Sequence, residues 1–385
     1  MRILHQLGHN YKWNFDCIRE DNAGDGAIIS PVNIDYAKAS MLSSDIRGRS
    51  FLDPQLYLPH DAKGKIDTYP YFPEVFEPGW KSQDYAEIGA RSSESCFEVQ
   101  ESLQFGYRVI PFRYSKDITP SYYKSCQDAL VEPFINAWRR SSKKPLLISI
   151  IVKRIQLIDP QQTAELLNWI TSFPELSGVY LIFESEHQSK QIKDSEYLFR
   201  CLQLIGDLTG SGLEVHVGYT NTEALLFAAV GATSVTMGSY ENLRRFQISR
   251  FVDAEPKGMR GPNPRLYVKG LMQWIEQGYL GALTRLYKRW PELQENTPYE
   301  VAMFTPTFKW HFSKPELYKH YFSVFSDQIS FFANSADPLN ALQTSVEIAL
   351  QHFEDIRRVG VILDGESDGA HLNHWLTAIN MYRSL

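Results

Sequence analysis

Residues 213–238 read LEVHVGYTNTEALLFAAVGATSVTMG: a strand (LEVHV), a turn (GYTN), a helix (TEALLFAAV), a glycine and a second strand. Thr220 precedes the helical run and Glu223 follows three residues later, the spacing of a capping box that satisfies two backbone donors at a helix start. The helix is expected to begin near Asn221 and to stop at Gly231, which can take the left-handed conformation of a helix end. The chain then re-enters an extended, β-branched run. Strand, short helix and strand in so few residues imply a right-handed crossover between parallel strands.

Alternation within the two strands decides between the parallel folds. If Val215 and Val217 face the covering helices, Glu214, His216 and Gly218 face the other way; Ser234, Thr236 and Gly238 do the same against Val235 and Met237. Inner strands of an open doubly wound sheet are packed by helices on both faces and read apolar. The inside of a barrel near its mouth tolerates polar side chains. The expected fold is therefore α/β, a (β/α)8 TIM-like barrel.

Composition agrees with a single such domain over residues 1–385, since 43% hydrophobic and 13% aromatic residues supply a large core. Lys and Arg total 39 against 45 Asp and Glu, a net charge of -6, so any nucleic-acid surface has to be local. Cys17, Cys96, Cys126 and Cys201 are far apart with no C-x-x-C spacing, which argues against a cysteine zinc site or a disulfide framework and fits a reducing compartment. No apolar stretch approaches the length that spans a bilayer, so no membrane partner and a cytoplasmic location are expected.

Outward from the opening unit, the first convincing strand is GAIISPVNID, with Asn33 and Asp35 at its end, after a polar segment over residues 1–25. A short helix over 36–47 and a second strand, SFLDPQLYLP, follow; Pro54 ends that strand early or bulges it. Residues 60–101 read as a long aromatic and proline-rich loop insertion. FGYRVIPFRY, KKPLLISIIVKRI and GVYLIFESE are the next strands. Thr119-Pro120 and Asp159-Pro160 open helices, and Pro133 interrupts the first of these. Residues 239–300 form a basic insertion and 313–385 a helical extension. VAMFTPTF is read as the eighth strand, with VGVIL the other possibility.

Barrel enzymes place their chemistry at the carboxyl ends of strands. Asp53 and Glu184 there are the carboxylate acid/base or nucleophile candidates, with His216 a third catalytic candidate. Asn33, Asp35, Arg113, Lys153, Tyr219 and Asn221 are candidate substrate ligands, and Arg113 and Lys153 suit an anionic group. Asp35, Asp53, Glu184, Glu186, His187 and His216 include metal-ligating types, but their spacing defines no ligand set, and the sequence names no cofactor. P-loop, G-x-S-x-G, G-x-G-x-x-G and H-E-x-x-H motifs are absent.

The pattern HVGYTN…AVGATSVTMGS resembles the sixth-to-eighth-strand region of many (β/α)8 enzymes. The resemblance implies a phosphate near Gly218, Gly238 and Ser239, where glycines let backbone N–H groups approach. The reading that follows is an enzyme, a transferase or hydrolase, acting on a small phosphorylated or nucleotide-like ligand. Cleavage or transfer at a nucleobase glycosidic bond fits carboxylates with a basic rim. A tRNA-guanine transglycosylase is the barrel enzyme of that kind, and this chain lacks that family's cysteine zinc motif. Basic and aromatic residues over 244–269 and 309–320 offer a surface for nucleic acid. The alternative is a non-catalytic barrel serving as a binding component of a larger protein or nucleic-acid assembly.

Overall fold

The computed structural model describes residues 1–58, 61–73, 85–141, 143–186, 189–252 and 261–385. Eight parallel strands run β1 (Arg2–Gln6), β2 (Gly26–Ile29), β3 (Phe51–Leu52), β4 (Arg108–Ile110), β5 (Leu146–Val152), β6 (Gly178–Phe183), β7 (Glu214–Gly218) and β8 (Ser234–Gly238). Their hydrogen-bonded order is β3-β2-β1-β8-β7-β6-β5-β4, the cyclic order of a (β/α)8 barrel. The barrel is nearly closed. Between β3 and β4 single backbone bonds replace a ladder: Gly106 N–H donates to Ser50 O at 2.9 Å and Tyr114 N–H to Tyr57 O at 2.9 Å. β3 is only two residues long because Pro54 lacks the N–H that would continue it.

The strand that closes the sheet is β1, which pairs in register with β8 (Arg2 with Ser234, Gln6 with Gly238) and with β2 (Leu4 with Gly26, Gln6 with Ile28). The expectation that VAMFTPTF supplies the eighth strand is corrected. Residues Pro298–Met303 form a helix, Thr297 accepting from the Glu300 N–H with Pro298 in the first turn. VGVIL forms no strand either. Thr-Pro ahead of an apolar run is a helix start, and that local signal outweighs the β-branched composition.

The opening unit folds as β7, a short helix Ala224–Ala229 and β8, with Gly231 at φ 93° after the helix. Its cap differs from expectation. Glu223 accepts from Asn221 N–H at 2.7 Å, and the Thr220 hydroxyl turns to Thr236, donating to its carbonyl oxygen at 2.5 Å. Every residue of this helix is buried, as an all-apolar helix must be. A second layer, helices Pro315–Ala333 and Pro338–Arg358, covers it, and the terminal helix His371–Arg383 packs on Ser195–Gly210.

Proline at 133 does not interrupt the helix that begins at Pro120. The chain widens to π-helical turns over Gln127–Val131 and continues as Glu132–Ser141. The described part of the expected 60–101 loop includes a helix, Tyr85–Ser102, that packs against this element. Beyond β8, an antiparallel pair, β9 (Arg265–Val268) and β10 (Gln273–Glu276), stands within the basic segment.

β1 makes a test of the topology possible. Leu4 is fully buried, whereas Val301 in the VAMF segment is 57% exposed. We expect Leu4→Ala to cost about 2–5 kcal/mol in urea unfolding and Val301→Ala less than about 0.5 kcal/mol. Equal costs would contradict the assignment of the closing strand.

Candidate functional site at the barrel mouth

The alternation expected for β7 and β8 is realised as a polar barrel interior in two tiers. At the amino-terminal end, His216 bonds Ser234 Oγ at 2.8 Å and Glu214 Oε2 at 3.1 Å, against the rings of Phe51 and Tyr107. His216 is fully buried, and burial lowers its pKa, so it is held neutral. Its partners lie at the end of the barrel away from the mouth.

The upper tier is built around Asp53, which follows β3 and is completely buried. Its Oδ1 accepts from Tyr57 OH at 2.6 Å and Gln55 N–H at 3.2 Å. Its Oδ2 accepts from Tyr219 OH at 3.1 Å, Tyr180 OH at 3.2 Å and Gln55 Nε2 at 3.4 Å. Burial pushes the carboxyl up to about 6 while the donors pull it down. Phe246 and Phe251 pack edge-on over Tyr57, and Phe246 also over Tyr219, sealing the carboxylate from the mouth. Gln55 and Tyr219 both sit at positive φ, 53° and 55°. Such conformations cost roughly 1–3 kcal/mol, and here they hold two contacting side chains, Gln55 Nε2 donating to Tyr219 OH at 3.0 Å.

Glu184, just past β6, accepts from Tyr114 OH at 3.2 Å, and Lys153 lies 4.4 Å above the Tyr114 ring while donating to Lys116 O. Burial raises the Glu184 pKa and the Lys153 charge opposes it. The structure thus brings Glu184 and Lys153 together. Arg113 lies over the Tyr122 ring at 5.8 Å. Asn33 lines the mouth and donates to Ser30. Asp35 caps the helix Tyr36–Ser40 through Lys38 N–H and pairs with Lys38 Nζ, both at 2.8 Å.

The open space lies over the ends of β6, β7 and β8. A narrow cleft of about 20 Å³ is lined by Ser185, Lys190, Tyr219, Glu223, Arg244 and Arg245 among others. A larger one of about 170 Å³ shares Tyr219, Arg245 and Phe246 with it and adds Asn33, Gln55, Lys63 and Arg250. Arg244 stacks 4.0 Å from the Trp274 ring centre and 5.6 Å from that of Tyr321, and its Nε and Nη1 make no hydrogen bond. Ser185 Oγ, Ser239 Oγ and Asn221 Oδ1 are likewise buried and unbonded. Buried polar atoms are normally satisfied; of these residues, Arg244 and Ser185 line the narrow cleft. Glu223 lines the same cleft; burial pushes its carboxyl up to about 7, with the Asn221 N–H and the Arg244 charge acting against that rise.

The two glycines expected at a phosphate have packing reasons of their own. A Cβ on Gly218 would stand 2.5 Å from the Tyr180 ring, and one on Gly238 2.5 Å from Leu243 Cβ. Gly218 therefore gives Tyr180 its passage to Asp53. In the basic segments Arg265 is clamped by Glu276 and Asp364, Lys269 pairs with Glu295, and Lys319 with Asp16. Tyr267 and His320 are core. Among the described residues no group of three or more His, Cys, Asp or Glu is placed to hold a metal ion, and no helix is long and apolar enough to cross a membrane. His187 lies outside the described residues. Burial pushes the Cys96 thiol up to about 12 and that of Cys126 to about 11, which leaves them unreactive.

Glu223, Arg244 and Arg250 were not singled out for chemistry from the sequence. The first was read only as a cap and the others as part of a charge run. A carboxylate in the turn after a barrel strand is a signal that was present for Glu223. The rings that hold Arg244 come from β10 and the helix Pro315–Ala333, and no local pattern announces them.

No family model and no curated protein matches the chain. Among solved structures, dihydrodipicolinate synthase from Bacillus clausii is 14% identical, covering 63% of this chain and 70% of that one at a TM-score of 0.31. A probable tagatose 6 phosphate kinase from Sinorhizobium meliloti 1021 is 13% identical over 100% of this chain and 99% of that one, at 0.38. Dihydrodipicolinate synthase from Oceanobacillus iheyensis is 10% identical over 99% and 95%, at 0.29. At these scores the fold assignment rests on the strand order of this chain itself.

The Asp53 cluster predicts a pH dependence. An acid whose folded pKa is raised stabilises the fold below its unfolded value, near 3.9, and that contribution is lost as pH rises through about 6. Glu223 adds a similar loss extending to about 7. We expect Asp53→Asn to remove up to about 3 kcal/mol of the decline in unfolding free energy between pH 4 and 6. A variant whose decline parallels that of the parent would show that Asp53 titrates normally.

Proposed function

We propose that the chain is a barrel enzyme acting on a small phosphorylated or nucleotide-like molecule whose anionic headgroup is held by Arg244. The observation that carries this reading is the Arg244 guanidinium, stacked on Trp274 and Tyr321 with Nε and Nη1 unbonded beside the cleft. A guanidinium is planar, permanently charged and suited to paired bonds with phosphate oxygens. Lys190 and Ser185 stand with Arg244 on the wall of the narrow cleft, and the larger cleft beyond Tyr219 leaves room for the body of the ligand.

Chemistry in this reading belongs to Glu223 rather than to Asp53. Glu223 lines the cleft and exchanges its proton near neutral pH, which is what a general acid or base requires. Asp53 orients Tyr219, whose side chain lines both clefts. Transfer and hydrolysis at a glycosidic bond, expected from the sequence, both need such a carboxyl. The nucleic-acid surface expected over 244–269 and 309–320 is not carried forward, because Arg265, Lys269 and Lys319 are already paired.

Titration calorimetry with inorganic phosphate and simple phosphate monoesters tests the headgroup site. We expect Arg244→Ala to weaken binding about tenfold or more, while Lys269→Ala, on a paired surface residue, leaves it unchanged. Equal affinity in parent and Arg244→Ala would overturn the assignment. Turnover is tested by incubation with a pool of phosphorylated metabolites: Glu223→Gln should slow consumption about 100-fold or more. Ligands bound but never consumed by the parent protein would favour the non-catalytic alternative.

A further inference from the structure

Glu223 and Arg244 stand on the wall of the same narrow cleft, which links the carboxyl to whatever the guanidinium holds. Glu223 is buried, and Phe183 and Phe227 line the cleft with it. Its Oε1 accepts from Asn221 N–H at 2.7 Å, which fixes the carboxyl at the turn after β7. Burial pushes that carboxyl up to about 7, and the backbone donors and the Arg244 charge hold it from rising further. An anion seated on Arg244 removes the last of these restraints. It neutralises the guanidinium, brings negative charge beside a carboxylate and displaces water from the cleft, and all three effects favour the neutral acid.

The other groups that face Glu223 come from several elements. Tyr197 and Cys201, on the helix Ser195–Gly210, and Tyr321, on Pro315–Ala333, interact with its charge. Burial pushes all three well above their ordinary values, so they keep their protons throughout the neutral range. Among the described residues, the other charged groups on this wall are Lys190, paired with Glu241 at 3.3 Å, and Arg245. From this geometry we infer that an anion entering on Arg244 is bound together with one proton, taken up by Glu223, so that the occupied site presents a neutral carboxylic acid to the ligand. This rests on the reading of Arg244 as the headgroup site. It gives the chemistry a direction: with substrate in place Glu223 is the general acid and not the base. The substrate class narrows to phosphorylated molecules whose reacting bond ends on a leaving oxygen or nitrogen. That bond breaks with its electron pair on the leaving atom, which takes the Glu223 proton, while water or an acceptor hydroxyl makes the new bond and returns a proton to the carboxylate.

Because the proton comes from solution, binding weakens as pH rises. Below the free value of about 7 the proton is already on the protein, and above it each ligand must bring one. Calorimetry with methyl phosphate on the full chain tests this at pH 8, in buffers of different ionisation enthalpy, where the ester, with a second pKa of roughly 6, is already a dianion. Uptake of about 0.5 proton or more per ligand is expected, with affinity falling about tenfold from pH 7 to pH 9. Glu223→Gln should bind without proton exchange and with a flat affinity over that range. A difference infrared spectrum of the parent should show a carboxylate converted to a carboxylic acid on binding, a readout that does not depend on the variant folding. Binding by the parent with no proton uptake, or with no such conversion, would overturn this inference alone. Uptake that survives in Glu223→Gln would place the proton on another group and overturn it as well. Failure of methyl phosphate to bind at all would overturn the headgroup reading and this inference with it.

Discussion

The insertion of Arg2–Gln6 between β8 and β2 is the constraint on which the rest of the molecule depends. Without it, β2 and β3 have no sheet to join, and the parallel strands from β4 to β8 form an open sheet with an unpaired edge. With it, Gln6 lies beside Tyr180, whose hydroxyl is 3.5 Å from its Oε1, and His5 on the opposite face bonds Ala23 O at 2.6 Å and Asn14. One short strand therefore ties the barrel interior to the layer outside it. Tyr180 continues inward to Asp53, so closure and the upper polar tier are parts of one arrangement.

A polar interior is costly unless every group in it is satisfied. The lower tier meets this with Glu214, His216 and Ser234, and the upper tier surrounds one carboxylate with three phenols and an amide. The same economy makes Asp53 a poor reagent, since its lone pairs are engaged and aromatic rings cover it. Unsatisfied polar atoms occur instead just above, at Arg244, Ser185, Ser239 and Asn221. The Asp53 carboxylate is fully engaged, whereas Arg244 and Ser185 beside the narrow cleft keep unbonded atoms. Phe246 joins the two, because Ser185 N–H donates to its carbonyl oxygen and draws the segment after β8 across the mouth.

Much of the fold was legible because its signals are local. The βαβ unit, the Thr119-Pro120 and Asp159-Pro160 helix starts and the early end of β3 at Pro54 each depend on a few adjacent residues. β1 was not legible, since RILHQ carries Arg, His and Gln in five residues and becomes a strand only when a polar barrel interior and a buried histidine pocket exist to receive them. VAMFTPTF misled by composition although Thr297-Pro298 carried the same helix-start signal used correctly elsewhere. Strand-end reasoning put Asp53, Glu184, Lys153 and Tyr219 just past barrel strands, where they lie, but could not tell a sealed carboxylate from an accessible one, because burial by Phe246 and Phe251 is a tertiary fact. Arg244 takes its meaning from rings supplied by two later elements.

The central claim is that the rim around Arg244, and not the Asp53 floor, is where an anion binds. Crystals soaked in tungstate, a tetrahedral oxyanion with strong anomalous scattering, test it directly. The account predicts an anomalous peak within hydrogen-bond distance of the Arg244 guanidinium, lost in crystals of Arg244→Ala. A protein whose mouth holds no peak while tungstate occupies other surface sites would contradict it.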